Sequence, residues 1–153
     1  MEHYKSKDDS KTESTYIIIP NDVNAAGHLH GGVLMQWMDL IAAITATRHA
    51  NTAVTTAAVD SLIFCEPVRM GDIINLKSSV TWVGNSSMEI MVKVYKDVAG
   101  IRESLCTNHG YFVFVALDEQ DKPTRVPRLA LITTEDQELF TAAKLRMELR
   151  KAK

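Results

Sequence analysis

The sequence of 153 residues has few cysteines and no surplus of either charge, and both shortages exclude classes of protein. Its two cysteines, Cys65 and Cys106, lie far apart in strand-like runs without the spacing of a metal or redox motif, so we predict reduced thiols in the core. The 17 Lys and Arg nearly balance the 19 Asp and Glu, which leaves a net charge of −2. This balance argues against nucleic acid or an anionic membrane surface as the main partner.

A charge-free apolar run long enough to cross a bilayer is also missing. The most apolar stretch covers residues 31–47, is short for a membrane span and carries Asp39 at its centre. The N-terminal stretch MEHYKSKDDSKTES is polar and has no apolar segment of the kind that a secretory signal needs. We therefore predict a cytoplasmic protein in which residues 31–47 belong to a buried helix.

The patterns that are present predict one central helix and an antiparallel sheet. TYIIIP is a short β-branched run that ends at Pro20, and apolar residues then cover nearly every face of a helix from about Gly32 to Ala50. Four longer strand-like segments follow, joined by the turn sequences RMGD, GNSS and VAG. A helix that is apolar all round must be enclosed, so we expect the sheet to curve around it. Dimerisation is then a natural cover for exposed edge strands.

We expect three parts along the chain. Residues 1–13 are polar and predict a flexible arm, whereas residues 14–132 form the single folded domain, of the α+β class. Residues 133–153 predict a C-terminal amphipathic helix with Thr134 as its N-cap, acidic residues in its first turn and a basic end.

Asp39 is the one charged residue between Gly31 and Thr47, and its position needs an explanation. A carboxylate on an apolar helix costs several kcal/mol unless it is paired or solvated. One explanation is structural, a salt bridge to Arg48 or a cap on a strand. The other is functional, a general base or nucleophile in a water-poor cleft, where desolvation raises the pKa of the carboxyl. Residue types alone leave both explanations open.

The loop before the helix, NAAGHLHGG from Asn24 to Gly32, is suited to hold a carbonyl group. Its glycines let a ligand approach the backbone closely, and a helix N-terminus offers unpaired N–H groups with a partial positive charge. Such donors stabilise the oxyanion that develops when a carbonyl is attacked, and the Asn24 amide adds a group that holds water or a carbonyl. His28 and His30 have no further cluster of Cys or His beside them, so we predict no metal site.

The position of Asp39 along the helix bears on how the site is assembled. Asp39 lies about two turns from Gly32, roughly 10 Å along the helix axis. That distance is too long for Asp39 and the Gly-rich loop of the same chain to share one substrate atom. We therefore expect Asp39 to meet the loop of a different subunit, unless the loop folds back.

These residues together resemble the acyl-CoA thioesterase family with the hot-dog fold. The resemblance is carried by PNDVNAAGHLHGGVLMQWMD followed by RHA, and it continues in AVDSLIFCEPVRMGD, VGNSSMEIMVKVY and FVFVALDEQDKPTRVP. It covers about Ser14 to Leu149. It implies a hot-dog domain over residues 14–132, in which a five-stranded antiparallel sheet wraps around the helix. It also implies dimers whose sheets join edge to edge, and hexamers built as trimers of dimers.

The resemblance implies hydrolysis of acyl-CoA to a carboxylic acid and free coenzyme A, without a separate cofactor. Asp39 of one subunit would activate water or attack the thioester directly, and Asn24 of the neighbouring subunit would position the water or the substrate. Backbone N–H groups of His30, Gly31 and Gly32 would hold the thioester oxygen. The nucleotide of coenzyme A would lie against a further set of residues: Gly84, Asn85, Ser86, Ser87, Arg125 and Arg128.

Two positions depart from the family pattern. Asn85 stands where relatives often have Arg in a G-R-S-S turn, so one cationic contact to phosphate is lost or moves to Lys77 or Arg125. Val113 stands where the last strand often has Thr, so a hydroxyl is lost there. Asp60 also matches the family pattern, and we expect a structural role for it at the subunit interface.

The same fold serves other functions, so two alternatives stay open. A dehydratase of fatty acid synthesis usually has a G-H-F-P-G loop, whereas no proline lies between Asn21 and Glu66 here. An acyl-CoA sensor normally carries a DNA-binding segment, for which the N-terminal arm is too short, although a module that only binds acyl-CoA remains an alternative. The acyl chain length is open too, because it depends on the depth of the groove beside Met35 and Trp37.

Overall fold

The computed structural model describes residues 2–152, so Met1 and Lys153, the ends of the predicted arm and of the predicted C-terminal helix, lie outside the described residues. Two short 3-10 turns, Lys7–Asp9 and Pro20–Asp22, flank the second strand. The main elements in chain order are β1 (Tyr4–Ser6), β2 (Thr12–Ile17), α1 (Gly31–Ala50), β3 (Ala53–Phe64), β4 (Ile73–Val83), β5 (Ser87–Val98), β6 (Ile101–Leu117), β7 (Arg128–Ala130) and α2 (Thr134–Lys151).

The main sheet has five strands in the order β2-β4-β5-β6-β3, and every neighbouring pair is antiparallel. This arrangement confirms the predicted antiparallel sheet with a long helix and a C-terminal helix. Alternate residues of the central strands point to the face that packs on α1, as the period of two in a strand requires. The fully buried residues of this inner face include Ile74, Leu76, Val80, Met88, Ile90, Val92 and Val94.

Helix α1 lies on the inner face of the sheet, but the sheet covers only one side of it. Its covered side holds Leu34, Met38 and Ile41, which are at most 3% exposed. On its other side Leu40 is 53% exposed and Ile44 is 45% exposed. The apolar residues on nearly every face of α1 predict a helix enclosed on all sides. Within one chain the sheet encloses only one side, and the other side stays exposed. No helix within residues 2–152 is long and apolar enough to cross a membrane.

The N-terminal region differs from the predicted flexible arm. Residues of β1 pair in parallel with β7, and Arg128 N–H donates to His3 O at 2.7 Å. Lys5 Nζ also donates to the Arg48 carbonyl at the end of α1. The arm is polar, so its sequence carries no hydrophobic pattern, and it is held by backbone pairing and charged contacts instead. The folded part therefore begins before residue 14.

Helix α2 packs on the outer face of the sheet, and its cap lies one residue earlier than predicted. Thr133, rather than Thr134, accepts a hydrogen bond from Asp136 N–H at 3.1 Å, which is the geometry of an N-cap. Arg146 anchors the helix, because its guanidinium donates two hydrogen bonds to the buried carboxylate of Glu89 on β5, at 2.8 and 2.9 Å.

Both cysteines are free, and Cys65 is exposed rather than buried as predicted. Strand β3 ends at Phe64, so Cys65 lies in the connection that leaves the sheet, where the apolar run no longer indicates burial. Cys106 lies within β6 and is half-buried.

Candidate active site

Asp39 lies in the middle of α1, half-buried, where the Thr56 hydroxyl of β3 donates a hydrogen bond of 2.9 Å to its Oδ1. No ion pair within residues 2–152 includes Asp39. Arg48 donates instead to Lys11 O and to Thr12 Oγ1. The salt bridge to Arg48 therefore does not explain Asp39, and its carboxylate keeps most of its capacity to accept hydrogen bonds.

A bulge accompanies Thr56 in β3. The register between β3 and β6 shifts between Thr56 and Ala58, so the side chains of β3 do not alternate regularly there. Sequence patterns do not single out Thr56, because alternation shows which residues face the helix only in a regular strand. The one visible signal is the polar pair Thr55 and Thr56 within a largely apolar run.

The loop that precedes α1 is fixed by its own hydrogen bonds. Asn24 Oδ1 accepts from the N–H groups of Ala26 and His28, at 3.0 and 3.2 Å, and Asn24 N–H donates to His28 O at 2.8 Å. Gly27 has φ +79°, a left-handed conformation that glycine adopts without strain. Because the Asn24 oxygen is occupied by the loop, the group that Asn24 can offer to a ligand is its NH2 donor.

The N-terminus of α1 offers fewer donors than the sequence predicts. His30 N–H donates to Asp22 O at 2.9 Å, so this group is already used and does not match its predicted role toward a thioester oxygen. Gly31 and Gly32 begin the helix, where N–H groups have no partner within the helix itself. These two glycines remain as the backbone donors of the site.

Asn24 and Gly31 share a pocket of about 360 Å³ beneath the N-terminus of α1. Asp39 does not line this pocket, and helix geometry puts it about 12 Å along the axis from Gly31. The structure thus places Asn24 and Gly31, but not His30 or Gly32, at one pocket and leaves Asp39 apart from it within one subunit. The other lining residues are His28, Leu29, Leu34, Phe64, Cys65, Glu66, Pro67, Val68 and Asn108.

Helix α1, which carries Asp39, and strand β3, which ends at the Asn24 pocket, share an uncovered apolar surface. Strand β3 is an edge of the sheet, and an unpaired edge beside exposed apolar side chains is typical of a protein contact. The surface is therefore a candidate contact with another protein subunit. Its large exposed side chains are Met35, Leu40 and Ile44 of α1 and Val59, Ile63 and Phe64 of β3.

The turn between β4 and β5, predicted to hold the nucleotide, is tightly closed. A Cβ at Gly84 would lie 2.6 Å from the Trp82 ring and 2.9 Å from Ser87 Oγ, so the close approach requires glycine. Gly84 N–H donates to Ser87 O at 2.8 Å, and Ser86 O accepts from Ala116 N–H at 2.8 Å. These bonds fix the turn against the end of β6.

Arg125 and Arg128 both reach this turn, with different freedom. Arg125 donates to Asn85 Oδ1 at 2.9 Å and pairs with Glu2 at 2.7 Å, and its side chain is 56% exposed. Arg128 donates to Gly84 O at 2.6 Å and to a second backbone carbonyl at 2.8 Å, and its side chain is 21% exposed. All the predicted nucleotide residues thus lie together, but Arg128 is occupied by the backbone and Arg125 is the more accessible cation.

Of the two cations predicted to replace the missing arginine, Arg125 lies beside Asn85 and Lys77 does not. Lys77 pairs with Glu103 at 2.8 Å and with Glu13 at 3.6 Å. Residue 77 alternates with the buried Leu76, so its side chain is on the outer face of the sheet, away from α1.

The nucleotide turn lies about two strands from the hydrogen-bond partner of Asp39. Thr56 pairs with Phe114 of β6, and Phe114 pairs with Met88 of β5, the residue after Ser87. Adjacent strands lie about 4.8 Å apart, so the backbones of Thr56 and Met88 are about 10 Å apart. A ligand that reaches both the turn and Asp39 must therefore be elongated.

Comparisons with known proteins agree with this fold. Residues 26–100 match the model of the Thioesterase superfamily. An uncharacterized acyl-CoA thioester hydrolase of Bacillus subtilis is 42% identical over 145 residues, which cover 94% of this chain and 83% of that protein. An acyl-CoA hydrolase of Staphylococcus aureus, solved with butyryl coenzyme A, is 36% identical with a TM-score of 0.92, over 97% of this chain and 91% of that one.

Further solved structures bear on the site and the assembly. The Staphylococcus aureus hydrolase has also been solved with an aspartate, an asparagine or a threonine changed to alanine. A hexameric acyl-CoA thioesterase without ligand has a TM-score of 0.93 and 36% identity, over 98% of this chain and 96% of that one. The chain therefore belongs to the acyl-CoA thioester hydrolases of the thioesterase superfamily and has their hot-dog fold.

Proposed function

We propose that this acyl-CoA thioester hydrolase builds each active site from two subunits, with Asp39 from one and Asn24 from its neighbour. The observation that carries the proposal is the separation of Asp39 from the Asn24 pocket within one chain, together with the exposed apolar surface between them. An isologous dimer that pairs the two β3 edges would bring each Asp39 to the loop of the other subunit, which gives two equal sites.

In such a site the backbone N–H groups of Gly31 and Gly32 face the thioester oxygen. Asp39 either takes a proton from a water that attacks the carbonyl carbon, or attacks the carbon directly with its carboxylate. Both routes place negative charge on the thioester oxygen, which the two donors and the partial positive charge of the helix N-terminus stabilise. The C–S bond then breaks, and the coenzyme A thiolate leaves and takes up a proton. On the direct route a water must afterwards cleave the anhydride between the acyl group and Asp39, which releases the carboxylic acid and restores the carboxylate.

Thr56 has a positioning role in this proposal. Its hydrogen bond to Oδ1 orients Asp39 without neutralising it, because a hydroxyl donor is uncharged. Asn24, Asp39 and Thr56 lie at the same intervals along the chain as the asparagine, aspartate and threonine changed to alanine in the Staphylococcus aureus hydrolase. This agreement supports a shared role for the three side chains here.

The elongated coenzyme A molecule fits the layout of the subunit. Its nucleotide would lie at the turn of Gly84–Ser87 beside Arg125, and its pantetheine arm would span the distance of about 10 Å toward Asp39. Coenzyme A enters as part of the substrate and leaves as product, so the proposal includes no separate cofactor. The hexameric relative supports a trimer of dimers, and a cytoplasmic location stays a prediction.

The test is release of free thiol from a panel of acyl-CoAs, from acetyl to palmitoyl, by the wild type and by Asp39→Asn. We expect the variant to lose about 10²–10⁴-fold in kcat, which is the usual contribution of a general base. Asp121→Asn is the matched control, because Asp121 lies in an exposed turn with φ +59°, a conformation that Asn also tolerates. A rate near that of the wild type in Asp39→Asn would overturn the assignment.

A further inference from the structure

The side chain of Asn108 is buried without a partner for its oxygen. Asn108 lies on β6, is 1% exposed, and pairs in the sheet with Val94, whose side chain is on the inner face. Its Oδ1 accepts no hydrogen bond from any residue between 2 and 152. A buried amide oxygen in this state destabilises the fold unless a water or a ligand donates to it.

The surroundings of Asn108 indicate what such a group is. Asn108 lines the same pocket as Asn24 and Gly31. Asn24 uses its oxygen within the loop, so it contributes donors to the pocket and Asn108 contributes an acceptor. A water molecule needs both, since it accepts from one group and donates to another, and a buried water typically has two to four polar partners.

A second buried asparagine shows the structural alternative. Asn75 on β4 is 6% exposed, but its Oδ1 accepts from Thr15 Oγ1 at 3.0 Å and its NH2 group donates to Glu103. Its amide is therefore satisfied within the protein and serves the fold. Asn108 differs because its oxygen is left for something that enters the pocket.

We propose that Asn108 binds a water in this pocket together with the Asn24 amide, and that this is the water used for hydrolysis. The inference rests on the proposed function, in which Asn24 and Gly31 face the thioester. Asn108 is then a positioning residue, since it accepts one hydrogen of the water while the Asn24 NH2 group donates to the water oxygen. The other hydrogen of the water points to the base, Asp39 of the neighbouring subunit, which takes it as a proton when the oxygen attacks.

Asn108→Leu tests this role, because leucine has a similar volume but no acceptor. We expect kcat to fall at least about tenfold with KM changed less than about threefold, since the water and not acyl-CoA loses its contact. We also expect the midpoint of thermal unfolding to stay near the wild-type value, because the side-chain oxygen of Asn108 bonds to the water and to no group of residues 2–152. Asn108→Asp keeps an acceptor oxygen and should recover part of the lost kcat at neutral pH.

Asn75→Leu is the matched control. It should lower the midpoint of thermal unfolding and leave kcat of the folded protein unchanged, because its amide is satisfied and lies on the outer face. Wild-type kcat in Asn108→Leu would overturn the inference, and a lower thermal midpoint in the same variant would then show a structural role for Asn108. If Asn108→Leu does not fold, Asn108→Ala is measured instead, and wild-type kcat in this variant, which also lacks the acceptor, would overturn the inference. Asn24→Ala and Asp39→Asn are measured alongside, and if these two retain full activity the proposed function itself fails.

Discussion

Two carboxylates, Glu89 beneath α2 and Asp39 on α1, differ in the partners that surround them. Glu89, beneath α2, is fully buried and accepts hydrogen bonds from the Arg146 guanidinium and from Thr81 Oγ1, the latter at 2.6 Å. Hydrogen bonding to Glu89 raises the pKa of Arg146, whose charge also lies 3.6 Å from the centre of the Tyr111 ring. Asp39, on α1, accepts a hydrogen bond from one side chain among residues 2–152, the neutral hydroxyl of Thr56.

This difference separates a carboxylate that stabilises the fold from one that keeps capacity for further hydrogen bonds. A buried charge that serves structure needs a cation and hydrogen bonds on both oxygens, because an unpaired buried charge is strongly destabilising. A carboxylate that must accept a proton or attack a carbon needs to keep part of its capacity unused. Burial differs too, since Glu89 is fully buried and Asp39 is half-buried, but the hydrogen-bond and ion-pair partners show which carboxylate keeps unused capacity.

Removing the Glu89 carboxylate beneath α2 should have the largest effect, a loss in the stability of the fold. Glu89→Ala leaves Arg146 without its partner, and removal of one member of a buried ion pair costs about 3–5 kcal/mol in the free energy of unfolding. Chemical denaturation measures this loss, and kcat per folded molecule should stay near the wild-type value. Asp39→Asn should show the reverse, with a free energy of unfolding within about 0.5 kcal/mol of the wild type. Equal stability losses in the two variants would contradict the comparison.

Removing the Thr56 hydroxyl should have an intermediate effect, on activity. Thr56→Val keeps the shape of the side chain but removes the donor to Asp39, and a hydrogen bond to a charged group contributes about 1.5–3 kcal/mol. We therefore expect kcat to fall by at least about tenfold, with KM for acyl-CoA nearly unchanged. Thr55→Val is the control on the neighbouring residue. Unchanged kcat in Thr56→Val would show that Asp39 needs no orientation from β3.

Lowering the pH should have the smallest effect, a loss of stability through protonation of Asp136 in the first turn of α2. Burial raises the pKa of Asp136, but hydrogen bonds from Lys7, Thr133 and Ile132 outweigh it and lower the pKa from 3.8 to about 2. Because the folded-state pKa is the lower one, the stabilisation is present above about pH 4 and is lost as pH falls toward 2. Unfolding midpoints measured between pH 5 and 2 should fall less steeply in Asp136→Asn. Parallel curves for the two proteins would contradict this role of Asp136.

Much of the fold could be predicted from the sequence, because local patterns record it. The apolar faces of α1 and the turns between the long strands are visible along the chain, and the motif around Asn24 and Asp39 carries the family resemblance. The pairing of β1 with β7 could not be predicted, since each strand has only three residues, too few to show a pattern. Glu89 also looks like a surface residue in MEIMVKVY, because alternation does not show that α2 covers the outer face.

Parts of the candidate site were hidden for related reasons. Thr56 faces Asp39 at a bulge, and a bulge interrupts the alternation on which a sequence prediction depends. The use of His30 N–H by Asp22 is a contact between backbone atoms, which residue types do not encode. Asn108 lies on a strand far from the loop in sequence, so only the fold reveals that it shares a pocket with Asn24.

Subunit complementation tests the central claim, that Asn24 and Asp39 act from different subunits, most directly. Asn24→Ala and Asp39→Asn chains, each inactive alone, are co-expressed with different affinity tags, and the mixed dimers are isolated. Each mixed dimer has one site with both residues intact if the site spans two subunits, so thiol release should return to about half of the wild-type rate per dimer. Mixed dimers as inactive as either parent would place both residues in one subunit and contradict the account.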